Sequence, residues 1–443
     1  MTHPSDEPRA RAVPAGRLTR MGRMSGLAAG VASRMAVDGL RQWSQGDRPA
    51  ARDLLLTPAN VSRIASELAR MRGAAMKVGQ LVSMDTGDVL PPELAEIMAR
   101  LRADADFMPP RQLRDVLDAE WGDGWRANFA RFDVRPMAAA SIGQVHRAML
   151  PDGTELAIKV QYPGIARSID SDVSNIGRLI RMSGLIPRVF DIDLYLDEAR
   201  RQLREEADYT AEAAHLTRFA DLLDNDSRFV VPTLHAPLTT GKVLAMRYVA
   251  SDPIEHLQAA SQETRDAAMH DLCDLLLKEL FDFGWMQTDP NFANYRVDRQ
   301  RGQIVLLDFG ATRAVPKELA GAVADLMRAG LSGTRADVDR CAADVGLLPT
   351  SVPAHFRSRV LDMMMYVFDE IRANPLLDLR HSNLARDLQR QGEALARDGF
   401  VPPPVPMDLL FIQRKVAGMF LLAARLRARI PVLDLLANYL DRT

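Results

Sequence analysis

Residues 287–294 read Gln287-Thr288-Asp289-Pro290-Asn291-Phe292-Ala293-Asn294, and residues 304–310 read Ile304-Val305-Leu306-Leu307-Asp308-Phe309-Gly310. Three side chains in this stretch suit one chemistry. Mg²⁺ bound to a phosphate prefers hard oxygen ligands, which Asn294 and Asp308 carry, and an attacking hydroxyl needs a nearby carboxylate, which Asp289 carries. Each motif alone would be weak evidence. Asp-Phe-Gly triplets are common by chance, and a pair such as Asp289-Pro290 usually marks a turn. The common order of these motifs decides the interpretation.

This order is the one found in protein kinases. There, a catalytic Asp is followed at the fifth position by a metal-binding Asn and then, after a short apolar run, by the metal-binding Asp of an Asp-Phe-Gly triplet. Asp289, Asn294 and Asp308 stand in these three positions. The two motifs together predict a kinase-like active site.

Composition limits the class of protein. The chain has 443 residues, of which 47% are hydrophobic, and a formal net charge of -2. A chain of this length is expected to form about two to four domain-sized units. Its balanced charge gives no reason to propose nucleic acid as a partner. Cys273 and Cys341 have no motif spacing and fit buried, inert thiols in a reducing compartment.

Lysine is rare in this chain. Only six of the 56 basic residues are lysines, so 50 are arginines. Arginine serves wherever a positive charge alone is needed, and each lysine is therefore of interest. The six are Lys77, Lys159, Lys242, Lys278, Lys317 and Lys415. The first two fall within motifs.

Residues 1–55 are predicted to be a basic, flexible segment with a short amphipathic helix. The first 23 residues are rich in arginine, but no apolar run long enough for a secretion signal follows. Gly22, Gly26 and Gly30 recur at four-residue intervals, a spacing that lets helices approach closely and would permit a homodimer. Two interpretations stay open: the helix lies on an anionic membrane surface, or it packs on its own domain.

Residues 56–130 are predicted to form a helical extension. It opens with Thr57-Pro58, a cap followed by a first-turn proline, and continues with apolar residues three and four apart. This stripe is typical of a core helix. The helix ends in Lys77-Val78-Gly79-Gln80, which places a rare lysine beside the packed face.

Residues 138–161 are predicted to form a β-hairpin with a turn at Pro151-Asp152-Gly153. In kinases, a Gly-rich loop covers the phosphates here and a strand lysine, matched by Lys159, holds them. The loop differs, because Ala138-Ala139-Ala140-Ser141-Ile142-Gly143-Gln144 has one glycine among alanines. Alanine restricts backbone conformations that glycine allows, so a stiffer loop is expected.

A phosphate-binding lysine of this kind needs a carboxylate partner from a helix. Residues 198–223 are predicted to be one helix, whose acidic residues include Glu206, Asp208 and Glu212. On one helix Glu206 and Glu212 point in different directions and can serve different partners. A strand, a hinge and a helix are predicted to lead on to the catalytic motif, over residues 243–249, 250–253 and 264–286.

The motifs together resemble the UbiB family of atypical kinases. The resemblance is carried by Lys77-Val-Gly-Gln80, the Ala-rich loop, Lys159 with Val160-Gln-Tyr-Pro-Gly164, Glu206-Ala-Asp208, Gln287-Thr-Asp-Pro-Asn291 and Asp308-Phe-Gly310. The ADCK coenzyme Q branch is the most similar, since Gln287-Thr288 and Ala105-Asp-Phe-Met108 read as in that branch. The similarity covers residues 55–440 in consistent order.

The resemblance implies a function. Family members bind Mg-nucleotide (ATP or ADP), hydrolyse ATP weakly, associate with membranes and lipids, and are needed for ubiquinone (coenzyme Q) biosynthesis. They show little or no protein kinase activity in trans. The partners implied for this chain are a nucleotide, an anionic lipid or quinone precursor, and proteins of quinone biosynthesis.

The resemblance also assigns residues to the site. Lys159 would pair with Glu212 and contact the phosphates, and Asp289 would occupy the catalytic position. Asn294 and Asp308 would bind Mg²⁺. The nucleotide-binding loop would comprise Ala138, Ala139, Ala140, Ser141, Gly143 and Gln144. Regulatory residues would be Lys77, Gly79 and Gln80, laid over the site, with Lys77 reaching Glu206 and Asp208.

The implied fold is α+β, a protein-kinase-like bilobal fold with an N-terminal helical KxGQ extension and largely helical overall. The predicted domains follow the chain. They are a basic segment, the helical extension, a kinase-like N-lobe with the Ala-rich loop and inserted helices, and a helical C-lobe, over residues 1–55, 56–130, 131–250 and 251–443.

Three features of the sequence bear on the substrate, the nucleotide contacts and the location of the protein. No long activation segment and no Ala-Pro-Glu follow Gly310, so a platform for a peptide substrate is missing. Arg247 stands where kinases often carry an acidic residue, so the sequence does not predict which residues would contact the adenine. The longest uncharged run in the C-terminal helices has nine residues, too few to span a bilayer. The protein is therefore expected in the cytoplasm or peripherally at the inner membrane face.

Two hypotheses from different classes stay open. The first is an atypical ATPase that supports quinone biosynthesis, and the second is a nucleotide-dependent scaffold or lipid-binding module with incidental turnover. The complete set of Lys159, Asp289, Asn294 and Asp308 favours the ATPase, because a scaffold has no need of a base and two metal ligands. The Ala-rich loop and the missing activation segment disfavour a conventional protein kinase.

Overall fold

A computed structural model of the chain describes residues 73–75, 77–78, 107–183, 192–298, 300–378 and 383–442. The predictions for residues 1–55, for Gly79 and Gln80 and for most of the helical extension lie outside these residues. The chain divides into two compact units, which are Met1–Ala214 with Thr233–Tyr248 and His215–Pro232 with Val249–Thr443. Both units contain helices and strands.

Helices outweigh strands in the described residues. The helices are α1 (Pro110–Trp121), α2 (Ile165–Ser183), α3 (Ile192–Glu206), α4 (Tyr209–Leu222), α5 (Gln262–Leu277), α6 (Lys317–Ser332), α7 (Arg335–Asp344), α8 (Ala354–Ala373), α9 (Leu384–Arg397), α10 (Met407–Leu426) and α11 (Val432–Leu440). The strands are β1 (Arg131–Phe132), β2 (Ala138–Ala139), β3 (Gly143–Met149), β4 (Glu155–Gln161), β5 (Phe229–Val230), β6 (Val243–Arg247), β7 (Asp252–Pro253), β8 (Trp285–Gln287), β9 (Tyr295–Val297), β10 (Ile304–Leu306), β11 (Thr312–Ala314), β12 (Leu377–Asp378) and β13 (Arg429–Ile430).

An antiparallel sheet organises the first unit. Its strand order is β1-β3-β4-β6, and β2 also pairs with β3. β3 pairs with β4 around a turn in which Gly153 has φ 84°, a left-handed conformation that favours glycine. The predicted hairpin is confirmed, and its register places Lys159 opposite Val145.

The single helix predicted over residues 198–223 is wrong. The chain forms α3 and α4, with a break after Glu206. The carboxylate of Asp208 accepts the backbone N–H of Thr210 at 3.0 Å, as a residue that caps a helix N-terminus does. Hydrogen bonds from the hydroxyl and N–H of Thr210 lower the pKa of Asp208. Glu206 and Glu212 consequently project from different helices.

The second unit carries the two motifs in the connections between short strands. α5 ends at Leu277 and continues as a π-helical turn to Phe283, after which Gly284 has φ 61°. The helix predicted over residues 264–286 therefore ends early, and β8 begins in its place. β8 pairs with β11, while β10 pairs with β9 and, in parallel, with β5.

A helical core completes the second unit. Buried apolar residues from α6, α7, α8 and α10 form it, among them Val338, Leu361 and Ile412. α6 begins directly after Pro316. Among the helices that the structure describes, none is both long enough and apolar enough to cross a membrane.

Candidate active site

Lys159 of β4 and Glu212 of α4 form an ion pair in the first unit. The Nζ of Lys159 donates to both carboxylate oxygens of Glu212 at 2.8 Å. The two side chains are 10% and 1% exposed. Removing one member of such a buried pair leaves the other charged and unpaired, so each residue needs the other. The structure thus brings together the lysine and the carboxylate named from the sequence.

The Ala-rich loop is built tightly around Gly143. A Cβ atom at this position would lie 2.5 Å from the carbonyl oxygen of Val160 and 2.7 Å from the hydroxyl of Tyr209, so the space admits only glycine. The N–H of Ala140 donates to the carbonyl of Gly143 at 2.9 Å and closes the turn. Lys159 Nζ lies 5.0 Å from the centroid of the Tyr209 ring. Tyr209 therefore touches both the loop glycine and the lysine.

The lysine of the KxGQ motif reaches one of the two acidic residues expected to receive it. Lys77 is buried and forms an ion pair with Glu206. The hydroxyl of Ser141 donates to the same carboxylate at 2.9 Å. Asp208, the second expected partner, instead caps α4. Glu206 thus links the helix of Lys77 to the Ala-rich loop, a link that the sequence did not indicate.

The side chain of Gln144 makes hydrogen bonds within the first unit. The side chain is fully buried; its Oε1 accepts the N–H of Met108 at 2.9 Å and its Nε2 donates to His146 Nε2 at 2.9 Å. His146 in turn donates from Nδ1 to the carbonyl of Asp133 at 2.8 Å. Burial lowers the pKa of His146 to about 4, so the ring is neutral and can accept from Gln144. The Gln144 side chain thus joins the loop to Met108 and His146, and the nucleotide-binding role expected of this residue stays a prediction.

The expected metal ligands lie on neighbouring segments of the second unit. The N–H of Leu307 donates to the carbonyl of Asn294 at 3.1 Å, which sets Asp308 beside the Asn294 segment. Asn294 Nδ2 faces Asp289, 3.3 Å from its carbonyl oxygen and 3.5 Å from Oδ2. Gly310 donates its N–H to Asp308 Oδ1 at 2.9 Å. The Asn294 amide is therefore oriented with its nitrogen towards Asp289 and its oxygen away from it.

This donor set fits Mg²⁺. An amide oxygen from Asn294 and a carboxylate oxygen from Asp308 are hard ligands, and Mg²⁺ is usually bound by one or two such groups together with substrate phosphates and water. The described residues contain no group of three or more His, Cys, Asp or Glu side chains that could hold a metal ion. Asn294 and Asp308 are the residues that would hold such an ion, together with the phosphates of a nucleotide.

Asp289 has an ion-pair partner that sequence reasoning missed. Arg414 of α10 donates from Nη2 to Asp289 Oδ1 at 3.2 Å. The side chains are 10% exposed for Arg414 and 20% exposed for Asp289. The next residue, Lys415, is one of the six lysines, and this rarity is a signal that could have pointed to α10.

One turn of α10 supports both ends of the catalytic motif. Lys415 Nζ donates to Gln287 Oε1 at 3.0 Å and to the hydroxyl of Tyr295 at 2.9 Å. It also lies 3.4 Å from Glu279, whose pKa burial raises to about 7 against the opposing effect of the Lys415 charge.

Gly418, one turn further along α10, faces the middle of the same motif. A Cβ atom there would lie 2.2 Å from the Cβ of Pro290. Because real Cβ contacts are never this short, the helix approaches the motif as closely as its backbone allows. The catalytic segment and α10 are therefore one packed assembly.

Comparison with known proteins shows one consistent similarity. A model of the ABC1 atypical kinase-like domain matches residues 100–342. The atypical kinase COQ8B, mitochondrial, of Rattus norvegicus is 36% identical over 99% of this chain and 83% of its own length. The atypical kinase COQ8, mitochondrial, of Saccharomyces cerevisiae is 34% identical over 96% of this chain and 85% of its own.

A solved structure has a similar fold. Rv3197 of Mycobacterium tuberculosis, determined in complex with erythromycin, superposes with a TM-score of 0.62. The two chains are 25% identical, and the match covers 85% of this chain and 95% of the other.

Proposed function

Because the chain belongs to the family of ABC1 atypical kinases, also known as the UbiB family, we propose that it binds Mg-nucleotide and hydrolyses ATP in support of ubiquinone (coenzyme Q) biosynthesis. The family and the kinase-like fold predicted from the sequence are confirmed. The buried ion pair between Lys159 and Glu212 carries the proposal. In kinases, a strand lysine fixed by a helix glutamate holds nucleotide phosphates.

Residues of the second unit would bind the metal and accept the proton. Mg²⁺, when bound with the nucleotide, neutralises charge on the phosphates. Asn294 and Asp308 would hold it through their side-chain oxygens. Asp289 lies next to Asn294 and would accept the proton of the attacking water or hydroxyl group.

Phosphorylation of other proteins is not part of the proposal. Only residues 311–316 separate the Asp308 motif from α6, and half of them form β11. Kinases that act on proteins use a longer segment here, which carries the activation-loop phosphosite and an Ala-Pro-Glu motif. The acceptor is therefore proposed to be water or a small molecule such as a quinone precursor.

The test measures ATP hydrolysis with and without Mg²⁺, with liposomes that contain anionic lipid, and with a phenolic mimic of a quinone precursor. We expect Mg²⁺-dependent turnover that increases in the presence of liposomes or the phenol. Asp308→Asn removes a negative ligand from a divalent ion and should abolish Mg²⁺-dependent stabilisation by nucleotide. Asp369→Asn changes an exposed carboxylate on α8 and serves as the matched control. Unchanged stabilisation in Asp308→Asn would contradict the site assignment.

We also propose peripheral membrane contact through residues 1–55. The two relatives described above carry the word mitochondrial in their names, and the arginine-rich start of the chain suits an anionic surface. Liposome flotation tests this contact. Replacing Arg9, Arg11, Arg17, Arg20 and Arg23 by Gln should reduce binding to anionic vesicles, and equal binding by both proteins would refute it.

A further inference from the structure

We propose that Arg414 is a positioning residue that holds Asp289 in the orientation needed for proton transfer. The proposal rests on the function given above, because it assigns Arg414 a role in the same reaction. Its basis is the contact between Arg414 Nη2 and Asp289 Oδ1 at 3.2 Å. Arg414 lies outside every motif that the sequence offers.

The contact leaves the two oxygens of the Asp289 carboxylate with different tasks. Oδ1 receives the guanidinium of Arg414, while Oδ2 lies 3.5 Å from the Asn294 amide nitrogen, towards the expected metal ligand. The terminal torsion of a free Asp side chain is broad, so the plane of its carboxylate would vary. An arginine on one oxygen holds this plane and leaves the other oxygen to receive the proton.

Arg414 can do this because α10 is itself fixed to the catalytic segment. Lys415 binds the side chains of Gln287 and Tyr295, and Gly418 lets the helix backbone contact Pro290. The Arg414 side chain is only 10% exposed.

The reaction step that Arg414 supports can be written out in full. In ATP hydrolysis, the bond between the γ-phosphorus and the β,γ-bridging oxygen breaks, and a bond forms between the water oxygen and the γ-phosphorus. The proton of the water passes to Asp289 Oδ2, and ADP leaves with the electrons of the broken bond. Arg414 takes no part in these bond changes and acts through Asp289.

The test compares three single variants of the full chain by steady-state ATP hydrolysis. Arg414→Gln should lower kcat about tenfold or more, a share of the 10²–10⁴-fold that a positioned base contributes. KM for ATP and the thermal stabilisation by ADP should stay at wild-type values. Arg414→Lys keeps the charge and should recover at least a third of kcat. Arg425→Gln removes an exposed arginine of the same helix and should match wild type.

A double-mutant cycle with Asp289→Asn gives a readout that a purely structural role would not move. Since Arg414 acts through Asp289, Arg414→Gln should lower kcat less than twofold further in that background. A loss of similar size in both backgrounds would overturn the proposal. So would an unchanged kcat in Arg414→Gln, a parallel loss of ADP stabilisation, or an Arg414→Lys variant that folds normally but is as slow as Arg414→Gln.

Failure of this inference is distinguishable from failure of the proposed function. If wild type binds no nucleotide and hydrolyses no ATP, the proposed function is wrong and the inference falls with it. If wild type hydrolyses ATP and Arg414→Gln does so equally well, only the inference is wrong.

Discussion

The two units fix their reactive side chains with opposite arrangements of charge. In the first unit a lysine is the functional group and Glu212, 53 residues further along the chain, holds it. In the second unit a carboxylate is the functional group and Arg414, 125 residues further along the chain, holds it. In both, a helix supplies the holding charge. Neither Lys159 nor Asp289 therefore depends on a ligand for its orientation.

The two pairs differ in burial, and burial decides whether a pair affects mainly the stability of the fold or mainly the rate of the reaction. Glu212 is 1% exposed, whereas Asp289 is 20% exposed. A buried charge that loses its partner destabilises the folded state, while a charge near water is solvated instead. The pair in the first unit should therefore control stability as well as binding. The pair in the second unit should control mainly the rate.

The largest effect is expected from removing the lysine of the buried pair in the first unit. Lys159→Met leaves Glu212 charged and buried, and should lower the free energy of unfolding by about 3–5 kcal/mol. It should also abolish stabilisation by ADP. Urea denaturation of the purified variants measures the first effect, and thermal shift measures the second.

Lys242→Met is the matched control for this variant. Lys242 pairs with Glu120 in the same unit but is 56% exposed, so its loss should cost less than about 1 kcal/mol. Equal destabilisation by the two lysine variants would contradict the assignment of stability to burial. Adding Glu212→Leu to Lys159→Met should restore part of the stability but none of the ADP response.

An intermediate effect, on the pH dependence of stability, is expected from a buried carboxylate in the second unit. Burial raises the pKa of Glu279 from 4.5 to about 7. The folded-state pKa lies above the unfolded one, so the stability that this group contributes is complete below about pH 4.5. It is lost as the pH rises through about 7, by on the order of 2–3 kcal/mol.

Glu279→Gln should remove this loss. Unfolding by urea between pH 5 and 8 should show a smaller decrease in stability with rising pH in the variant than in wild type. Glu263→Gln, at the exposed start of α5, is the control and should follow the wild-type curve. Parallel curves for wild type and Glu279→Gln would show that this group does not titrate in the range.

The smallest expected effect concerns the link between the Ala-rich loop and Lys77. Ser141→Ala removes one hydrogen bond to Glu206 and leaves the Lys77 ion pair in place. The interaction free energy between the loop and Glu206 should fall by about 1 kcal/mol. The resemblance implies that the Ala-rich loop biases nucleotide binding toward ADP. We therefore expect an up to fivefold change in the ratio of ADP to ATP affinity, measured by isothermal titration. Ser171→Ala, on α2, is the control and should leave the ratio unchanged. An unchanged ratio in Ser141→Ala would contradict the expected coupling between the loop and Glu206.

The roles proposed for Asp289, Asn294 and Asp308 follow from their spacing along the chain and stay predictions. The pairing of Lys159 with Glu212 is implied by the resemblance and is present in the structure. The hairpin that positions Lys159 follows from alternation and turn residues. These features are local or belong to a pattern of residues in fixed order.

The remaining features depend on tertiary contacts that the pattern does not contain. Helical pattern alone places Asp208 inside one long helix, although Asp is also a strong N-cap and caps α4 here. Gln144 belongs by sequence to the Ala-rich loop, although strand alternation sets it on the same buried face as His146. The contact of Arg414 with Asp289 joins distant segments, and its only local sign is the rare lysine beside it.

The close contact of Gly418 with Pro290 has a consequence for shortened forms of the protein. A transcript or protease product that stops before α10 would retain every recognisable kinase motif. It would lack the helix on which the catalytic segment rests, together with Arg414. Such a product would contain every kinase motif but should not hydrolyse ATP. The presence of residues 407–443 is therefore a better indication of an active molecule than the motifs alone.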